Sequence, residues 1–404
     1  MKNKKKKWMK FRHRVVRTIA YYAVAPLATL KYHIKVEKFK EQGDRSYLIL
    51  MNHQTAYDQF FVGMAFKRPV YYVASEDLFS NGFVSSLIRW LVEPIPIRKQ
   101  TTDVSAVMNC IRVAKEGGTI AIAPEGNRTY SGKTIYMNPA IAPLARKLKL
   151  PIALYRIEGG YGAQPRWSDV VRRGKMRSYV SRVIEPQEYE KLTNEELYEL
   201  IQKELYVDEA NADGLFKSGK KAEYLERAMY VCPYCGLSTF ESHGNEIECK
   251  KCNRKLTYGE DKTLNGIGFE FPFKFVADWY DYQENFVNDL DVTKFTDSPI
   301  YTDYAALRQV FVFKSKTLLR KKAKISLYGN RVVIDENTAD ELNLSFDDIG
   351  AITVLGKNKA NIYYQDKLYQ LKGDKRFNAL KYVNIFFRYK NIVRGESDDK
   401  FLGL

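Results

Sequence analysis

The chain has 404 residues, of which 45% are hydrophobic and 14% aromatic, so it can form more than one hydrophobic core and is not a disordered chain. Its formal net charge of +17 indicates an anionic partner, either a nucleic acid or a membrane surface. Residues 1–40 hold thirteen Lys and Arg and a single acid, Glu37, which gives +12 and leaves +5 for the remaining 364 residues. The charge therefore belongs to one end of the chain rather than to its folded body.

The basic residues run into an apolar stretch from Thr18 to Leu30, whose 13 residues fall short of the ~20 that a membrane-spanning helix needs. We interpret residues 1–34 as a basic amphipathic segment that lies in the membrane interface, with its lysines on anionic lipid. Three aromatic residues are expected at headgroup depth: Trp8, Tyr21 and Tyr22. A solvated basic tail beside a core helix, a cleaved signal peptide and a nucleic-acid-binding arm are the alternatives.

From Ser46 to Ile184, short apolar runs alternate with stretches of helical periodicity. This alternation predicts an α/β domain over residues 35–210, with a mixed sheet flanked by helices. In such folds the active-site groups follow the carboxyl ends of strands. The predicted strands are 47–51, 70–73, 95–97, 119–123, 152–156 and 178–183.

A histidine and an aspartate follow the first predicted strand, as His53 and Asp58. Along a continuous helix five residues turn through about 500°, which would leave the two side chains about 140° apart. They can meet only if the helix begins between them. Asp58 would then orient the imidazole, whose other nitrogen could take a proton from a hydroxyl. A strand-end histidine and a helix-capping aspartate with no shared chemistry are the plainer interpretation.

A second motif, Glu125-Gly126-Asn127-Arg128, follows a later predicted strand. Its glycine permits close approach of the backbone to a ligand, and its arginine offers a planar fork for a phosphate or a carboxylate. A turn with a surface ion pair would explain the same residues.

With these two motifs in place, residues 30–205 resemble the glycerophospholipid acyltransferase family typified by bacterial 1-acylglycerol-3-phosphate acyltransferase. Asn52, His53 and Asp58 match its His-x4-Asp block. The other three blocks are matched by Ile95-Pro96-Ile97-Arg98, by Glu125-Gly126-Asn127-Arg128 and by Leu150-Pro151-Ile152. Four positions depart from the usual pattern: Thr55 for Ser, Pro96 for an aromatic residue, Ala123 for Phe and Asn127 for Thr.

The resemblance implies that His53 is the general base and Asp58 its orienting partner. It further implies a glycerol phosphate site formed by Arg98, Glu125, Gly126 and Arg128. The implied enzyme carries an acyl group from acyl-CoA or acyl carrier protein to the sn-2 hydroxyl of lysophosphatidic acid, in phospholipid biosynthesis. We expect it to be peripheral, on the cytoplasmic face of the cell membrane. Another lysophospholipid or glycerol phosphate as acceptor, or a non-catalytic lipid-binding scaffold, are the alternatives.

Two cysteine pairs, Cys232/Cys235 and Cys249/Cys252, are spaced as the knuckles of a zinc ribbon over residues 228–256. Four thiolates complete the tetrahedral coordination of a structural Zn²⁺, and the metal would supply folding energy to so short a segment. Two disulfides or free thiols are the alternatives. The segment carries a net charge of only +1, which disfavours a nucleic-acid partner. Residues 211–227 before it are predicted to be a linker.

The last part of the chain, residues 257–404, is rich in predicted strands and ends in a helix predicted over 377–389. The order of elements resembles a pleckstrin-homology or GRAM-type barrel with a C-terminal helix. Several basic residues of this part could contact lipid headgroups or an acidic acyl carrier protein, and a solvated face is the alternative. They are Arg320, Lys321, Lys322, Lys324, Lys357 and Lys359.

Overall fold

The computed structural model describes residues 7–98, 103–134, 136–395 and 401–403, so the lysines of residues 1–6 lie outside the described part. The chain folds into two compact units. The first comprises residues 1–165 and 171–216, and the second comprises residues 166–170 and 217–404. The chain therefore enters the second unit briefly, returns to the first, and finally continues into the second.

The first unit contains a seven-stranded sheet with helices on both faces. Its strands are β1 (Ile34–Val36), β2 (Leu48–Met51), β3 (Val70–Ser75), β4 (Ile95–Ile97), β5 (Thr119–Ile122), β6 (Ile152–Glu158) and β7 (Met176–Ile184). Its α-helices are α1 (Phe11–Tyr32), α2 (Asp58–Ala65), α3 (Phe83–Val92), α4 (Val104–Lys115), α5 (Ile141–Leu148), α6 (Gly160–Ala163), α7 (Pro186–Tyr189) and α8 (Asn194–Leu205).

The strand order is β1-β7-β6-β2-β5-β3-β4. The β6–β7 pair is antiparallel and the other pairs in this sheet are parallel, so the prediction of a mixed sheet is confirmed. Because β2, β5, β3 and β4 run in the same direction, the loops that follow their carboxyl ends meet at one edge of the sheet.

Strand β2 separates the two halves of the core of this unit. Leu48 and Leu50 face a cluster that includes residues of α4, α5 and α8, whereas Ile49 and Met51 face a cluster that includes residues of α1 and α2. This alternation follows from the pleat of a strand, whose successive side chains point to opposite faces. All four residues are buried, which is why all of them are apolar. The first polar residue, Asn52, comes after the strand ends.

Helix α1 is longer than the predicted apolar stretch and continues past Pro26. No helix among the described residues is long and apolar enough to cross a membrane. Trp8, expected at headgroup depth, is half-buried: it packs against the core of the first unit, and its indole N–H donates to the carbonyl of Glu93 at 2.9 Å. Its backbone N–H donates to Glu116, so the segment before α1 is fixed to the protein.

The second unit contains two small antiparallel sheets and one large one. The small sheets are formed by β8 (Val231–Cys232) with β9 (Gly236–Leu237), and by β10 (Phe240–His243), β11 (Glu246–Cys249), β12 (Lys255–Tyr258) and β13 (Leu264–Gly266). They are followed by α9 (Val276–Asp289), by the strands β14 (Tyr301–Phe311), β15 (Ser315–Leu327), β16 (Arg331–Ile334), β17 (Leu342–Ser345), β18 (Ile349–Leu355), β19 (Lys359–Tyr364) and β20 (Lys367–Gly373), and by α10 (Leu380–Arg394).

The large sheet has the order β17-β16-β15-β14-β20-β19-β18 with antiparallel neighbours, and α10 packs on β18 and β19. The β-rich C-terminal part with its last helix is therefore present. Strand β14 and helix α9 were not predicted. In β14 the buried positions do not alternate strictly, and this obscures the strand pattern in the sequence.

The boundary between the units differs from the predicted one. Residues 217–227, predicted as part of a linker, belong to the second unit, where Ala222, Leu225 and Arg227 are buried. Arg227 fixes this segment to the second unit, since its guanidinium binds the Asp169 carboxylate at 3.0 Å and the Trp167 carbonyl at 2.9 Å. The small sheet also extends to β13, beyond residue 256, where the ribbon was predicted to end.

Candidate functional site

His53 and Asp58 lie on either side of a helix start, as their spacing required. Strand β2 ends at Met51 and α2 begins at Asp58, so His53 lies in the intervening loop and Asp58 in the first turn of the helix. Asp58 Oδ2 lies 2.7 Å from His53 Nδ1. A carboxylate oxygen accepts, so Nδ1 carries the proton and the lone pair of a neutral ring is on Nε2. The side chain of His53 is 26% exposed, which leaves the ring accessible to a substrate.

Asp58 itself is fully buried and organises the loop around it. Its carboxylate accepts from the backbone N–H of Gln54 at 2.7 Å and from that of Thr55 at 2.9 Å. It also accepts from the Thr55 hydroxyl at 2.7 Å. Threonine provides this hydroxyl where the resembled family usually has serine, so the replacement keeps the hydrogen bond. The position of the carboxylate at the amino end of α2 is favourable to a negative charge.

Glu125 joins the same network from the loop after β5. The backbone N–H of His53 donates to Glu125 Oε1 at 2.8 Å, across 72 residues of sequence. Burial raises the pKa of the Glu125 carboxyl to about 8, the His53 N–H lowers it in part, and the negative charge of Asp58 raises it further. At neutral pH this carboxyl is therefore mostly protonated, and it can donate a hydrogen bond to an oxygen of a ligand.

The rest of the second motif continues from Glu125 at the same edge of the sheet. Gly126 has φ +68°, a conformation that glycine adopts without strain, and a side chain there would meet open space. Arg128 is half-buried and lies close enough to Tyr32 that its charge opposes the rise in the pKa of the tyrosine hydroxyl, which burial causes. The open space at Gly126 and the nearby guanidinium fit an anionic ligand.

The remaining residue of the predicted phosphate site is Arg98. It is exposed and follows β4, the outermost strand, where its backbone N–H donates to Asp103 at 2.9 Å. With strands ~4.8 Å apart, β4 is about 14 Å from β2 and about 10 Å from β5. The structure thus brings together His53, Asp58 and Glu125, and it places Arg98 at the far end of the same edge.

The fourth matched block has a different position. Pro151 precedes β6, and its carbonyl accepts from the Leu48 N–H at 3.0 Å. Because β2 and β6 are parallel, this contact lies at the amino ends of the strands, whereas His53 follows the carboxyl end of β2. The block therefore supports the sheet and does not line the site.

Two contributions to the site were missed in the sequence. Asn52 exchanges two hydrogen bonds of 2.8 Å with the backbone of Ile157, which ties the His53 loop to β6. Gly160 packs directly under this loop, since a Cβ there would lie 2.5 Å from Gln54 Cβ. The signal for the second contribution was the Gly159-Gly160 pair, separated by two residues from the predicted strand 152–156, because two glycines there indicate close backbone packing.

The four cysteines of the second unit form a separate cluster. Their sulfur atoms all lie within 4.8 Å of one another, with Cys232 and Cys252 at 3.8 Å and Cys235 and Cys249 at 3.6 Å. A disulfide needs about 2.05 Å, so these distances are not those of bonded pairs. Sulfur atoms around a tetrahedral metal with bonds of about 2.3 Å lie about 3.8 Å apart, so the geometry fits four-coordinate binding. This cluster could therefore hold a metal ion. Cys110 is buried in the core of the first unit, apart from the cluster.

The raised pKa of Glu125 has a consequence for stability. The unfolded chain releases this proton near the ordinary pKa of 4.5 and the folded chain near 8, so the free energy of unfolding should decrease as pH rises through this interval. Glu125→Gln removes this component. The variant should gain stability over the natural protein as pH increases from about 4.5 to about 8, by up to about 4 kcal/mol.

Urea unfolding of both proteins at several pH values across this interval measures the gain, and Glu199→Gln, on the exposed face of α8, serves as the control. A stability difference that stays constant with pH would contradict the assignment of a protonated Glu125.

Comparison with known proteins shows what this part of the chain is similar to. Residues 32–156 match the model of the family described as acyltransferase. The chain is similar to the 1-acyl-sn-glycerol-3-phosphate acyltransferase of Bacillus subtilis (strain 168), with 20% identity over 176 residues that cover 43% of this chain and 85% of that protein. A crystal structure of the 1-acyl-sn-glycerophosphate acyltransferase from Thermotoga maritima matches with 23% identity and a TM-score of 0.41, over 48% of this chain and 77% of that one. The first unit, which holds His53, Asp58 and Glu125, therefore contains the residues that match the acyltransferase family model.

Proposed function

We propose that this chain transfers a fatty acyl group from a thioester donor, acyl-CoA or acyl carrier protein, to the sn-2 hydroxyl of lysophosphatidic acid. The observation that carries the proposal is the 2.7 Å contact between His53 Nδ1 and Asp58 Oδ2 on an accessible loop. The family match and the name of the Bacillus subtilis relative support a glycerophospholipid acceptor. Phospholipid biosynthesis is the process in which such an enzyme acts.

In this mechanism His53 acts as a general base. Nε2 takes the proton of the acceptor hydroxyl as the oxygen attacks the thioester carbonyl carbon, and Asp58 stabilises the imidazolium that forms. The tetrahedral oxyanion then collapses, the C–S bond breaks, and the imidazolium returns its proton to the leaving thiolate. A thioester is already activated, so no covalent intermediate on the protein is required. This explains why the site needs a base but no nucleophilic side chain.

The acceptor's phosphate is proposed to bind along the edge of the sheet. Arg128 and Arg98 offer planar guanidinium groups for phosphate oxygens, and Gly126 lets the phosphate approach the backbone. The protonated Glu125 can donate a hydrogen bond to an oxygen of the glycerol. Both arginines follow strands that run in the same direction, β4 and β5, so they lie beyond the carboxyl ends of the same sheet.

One prediction of this mechanism concerns the base. His53→Ala should lower kcat by about 10³-fold or more, since general base catalysis contributes about 10²- to 10⁴-fold, while the unfolding temperature remains near that of the natural protein. Thiol release from acyl-CoA, measured with and without lysophosphatidic acid, follows the reaction directly.

His243→Ala is the matched control, because that histidine is exposed and lies in the second unit. Near-normal turnover by His53→Ala would exclude the mechanism. No acceptor-dependent thiol release by the natural protein, with any lysophospholipid or glycerol phosphate as acceptor, would favour the lipid-binding scaffold.

Attachment to the cytoplasmic face of the cell membrane is part of the proposal. Helix α1 presents an apolar stripe at helical spacing, and the exposed fractions of its residues reach 79% for Phe11 and 74% for Tyr22. Helix α3, which packs against α1, adds exposed Phe83 and Trp90. The remaining stripe residues are Val15, Ile19, Leu27 and Leu30. An apolar helix face beside basic residues is the property of an interfacial helix.

Substitutions in the apolar stripe of α1 test the proposed attachment to the membrane. Ile19→Ser combined with Leu27→Ser should reduce binding to anionic vesicles by about tenfold, because both side chains are exposed in the protein and would be buried in lipid. Vesicle co-sedimentation measures the change. Val393→Ser, at an exposed apolar residue of α10, is the control. Equal binding by all three proteins would contradict a membrane role for α1.

The cysteine cluster is proposed to hold a structural Zn²⁺ in a zinc ribbon. The sulfur–sulfur distances fit a tetrahedral site, and four thiolates leave no open position for a substrate. The large sheet with its capping helix α10 supports the proposal of a pleckstrin-homology or GRAM-like domain after the ribbon.

Metal content tests the zinc proposal. The purified protein should contain about one Zn²⁺ per chain, and Cys235→Ser combined with Cys249→Ser should lose it and unfold at a lower temperature, because bound metal contributes to folding. Cys110→Ala is the control, since Cys110 lies in the first unit and is not part of the cluster, so its loss should leave the zinc content unchanged. Full stability of the metal-free protein would contradict the structural role.

A further inference from the structure

One surface of the second unit is not explained by the catalytic proposal: the tip of the hairpin formed by β14 and β15. The large sheet pairs β14 with β20 only as far as Gln309, and it pairs β15 with β16 only from Ile325 onward. Among the residues that the structure describes, the arms beyond these points have only each other as strand partners. We define residues 310–324 as the hairpin tip.

The hairpin tip combines a strong positive charge with exposed apolar side chains. It contains six Lys and Arg and no Asp or Glu, so its net charge is +6. Phe311, Leu318 and Leu319 are 42%, 45% and 40% exposed. Exposure of large apolar side chains to water is unfavourable, and here they are grouped within one positively charged segment. Such a group of exposed apolar side chains indicates a binding surface. The basic residues are Lys314, Lys316, Arg320, Lys321, Lys322 and Lys324.

Two irregularities of β15 produce this surface. In the first, Arg308 of β14 pairs with Leu318 of β15, but its neighbour Leu307 pairs with Arg320, so β15 has one extra residue between these pairs. Leu318 and Leu319 are both exposed there. Bulges of this kind redirect side chains that a regular pleat would place on alternate faces.

The second irregularity lies three residues further along β15. Ala305 pairs with Ala323 and Leu307 with Arg320, which leaves one extra residue on β15, and Lys321 and Lys322 are both exposed. The strand therefore carries an apolar pair nearer the tip and a basic pair nearer the base, separated by about 10 Å along a strand that rises about 3.3 Å per residue.

The turn adds a further apolar group in an unfavourable conformation. The Lys314 N–H donates to the Phe311 carbonyl at 2.9 Å, and Phe313 within this turn has φ +63°. Glycine usually occupies such a position, and a bulky residue takes it rarely. Backbone strain of this kind is concentrated at binding and catalytic sites, so it supports a functional interpretation of the hairpin tip.

We propose that the hairpin tip is a second membrane-binding element, which places its apolar side chains in the interface of an anionic bilayer and its lysines among the lipid phosphates. Along the hairpin, exposed apolar residues lie nearer the tip and a basic pair lies nearer the base. This order matches a bilayer surface, where apolar groups are buried about 5–10 Å into the headgroup and acyl boundary and basic groups stay at the phosphates. Lys314 and Lys316 reach the phosphates because a lysine stem can lie along apolar groups while its ammonium stays in the polar layer. Arg320 binds Asp335 at 2.8 Å and Asp340 at 3.3 Å, so the attraction rests mainly on the lysines.

An acidic protein such as acyl carrier protein is the other partner that a basic surface could attract. The observations favour the bilayer, because a purely electrostatic contact gives no reason for Phe311, Leu318 and Leu319 to be exposed together. The inference goes beyond the proposed reaction, and it does not depend on the chemistry at His53.

Binding of the full chain to vesicles tests the proposal. Lys321→Glu combined with Lys322→Glu should lower the partition coefficient on phosphatidylcholine vesicles containing phosphatidylglycerol by about 30-fold, and should have little effect on pure phosphatidylcholine. Lys217→Glu combined with Lys220→Glu makes the same change of charge at exposed positions elsewhere in the second unit, and should alter binding by less than about twofold.

A second pair of variants tests the apolar contribution. Leu318→Ser combined with Leu319→Ser should weaken binding to vesicles of both compositions by about tenfold, whereas Ile267→Ser, at another exposed apolar residue of the second unit, should not. Both hairpin variants should keep natural turnover on detergent-dispersed lysophosphatidic acid, because neither changes a residue of the site.

Vesicle binding that is unchanged in both hairpin variants would overturn the proposal, and so would a loss confined to binding of an acidic carrier protein. Absence of turnover in every protein, the natural one included, would contradict the proposed reaction. The vesicle result would stand in that case, so the two failures are distinguishable.

Discussion

The buried carboxylate of Asp58 is the interaction on which the geometry of the site depends. It lies in the first turn of α2 and accepts from the His53 ring and from two backbone N–H groups of the same loop. If the buried carboxylate lost these donors, the folded state would be strongly destabilised. Few other conformations of the loop can therefore satisfy it. The hydrogen bonds that satisfy Asp58 are thus the ones that orient the imidazole. Folding of the loop and orientation of the imidazole have the same physical cause.

The direction of the strands extends this local arrangement into a site. Strands β2 and β5 are parallel neighbours, so the loops after them meet, and Glu125 reaches the backbone of His53. The contact comes at the cost of burying a second carboxyl close to Asp58, and this raises the pKa of Glu125 to about 8. Functional sites often contain such locally unfavourable groups, which the stability of the surrounding sheet compensates.

The second unit is organised on different principles. Its small sheets surround a cysteine cluster, whereas its large sheet buries an apolar core under α10. The brief excursion of the chain at residues 166–170 is fixed there by Asp169, which binds Arg227 and Lys357 at 3.0 Å and 2.7 Å. These ion pairs hold the pKa of Asp169 at about 2, below its ordinary value, against the opposing effect of burial. A short segment of the first half of the chain is thereby ordered by residues of the second.

The sequence by itself determined the features that depend on short spacing. Strand and helix alternation predicted the mixed sheet, the five-residue step from His53 to Asp58 predicted a helix start between them, and paired cysteines predicted their cluster. Only the tertiary structure decided which distant segments meet. It placed Arg98 after the outermost strand, packed Trp8 against the core of the first unit, and left the hairpin tip without further strand partners among the described residues. The physical reason is that periodicity fixes which face of an element is apolar, whereas strand order and register decide what covers that face.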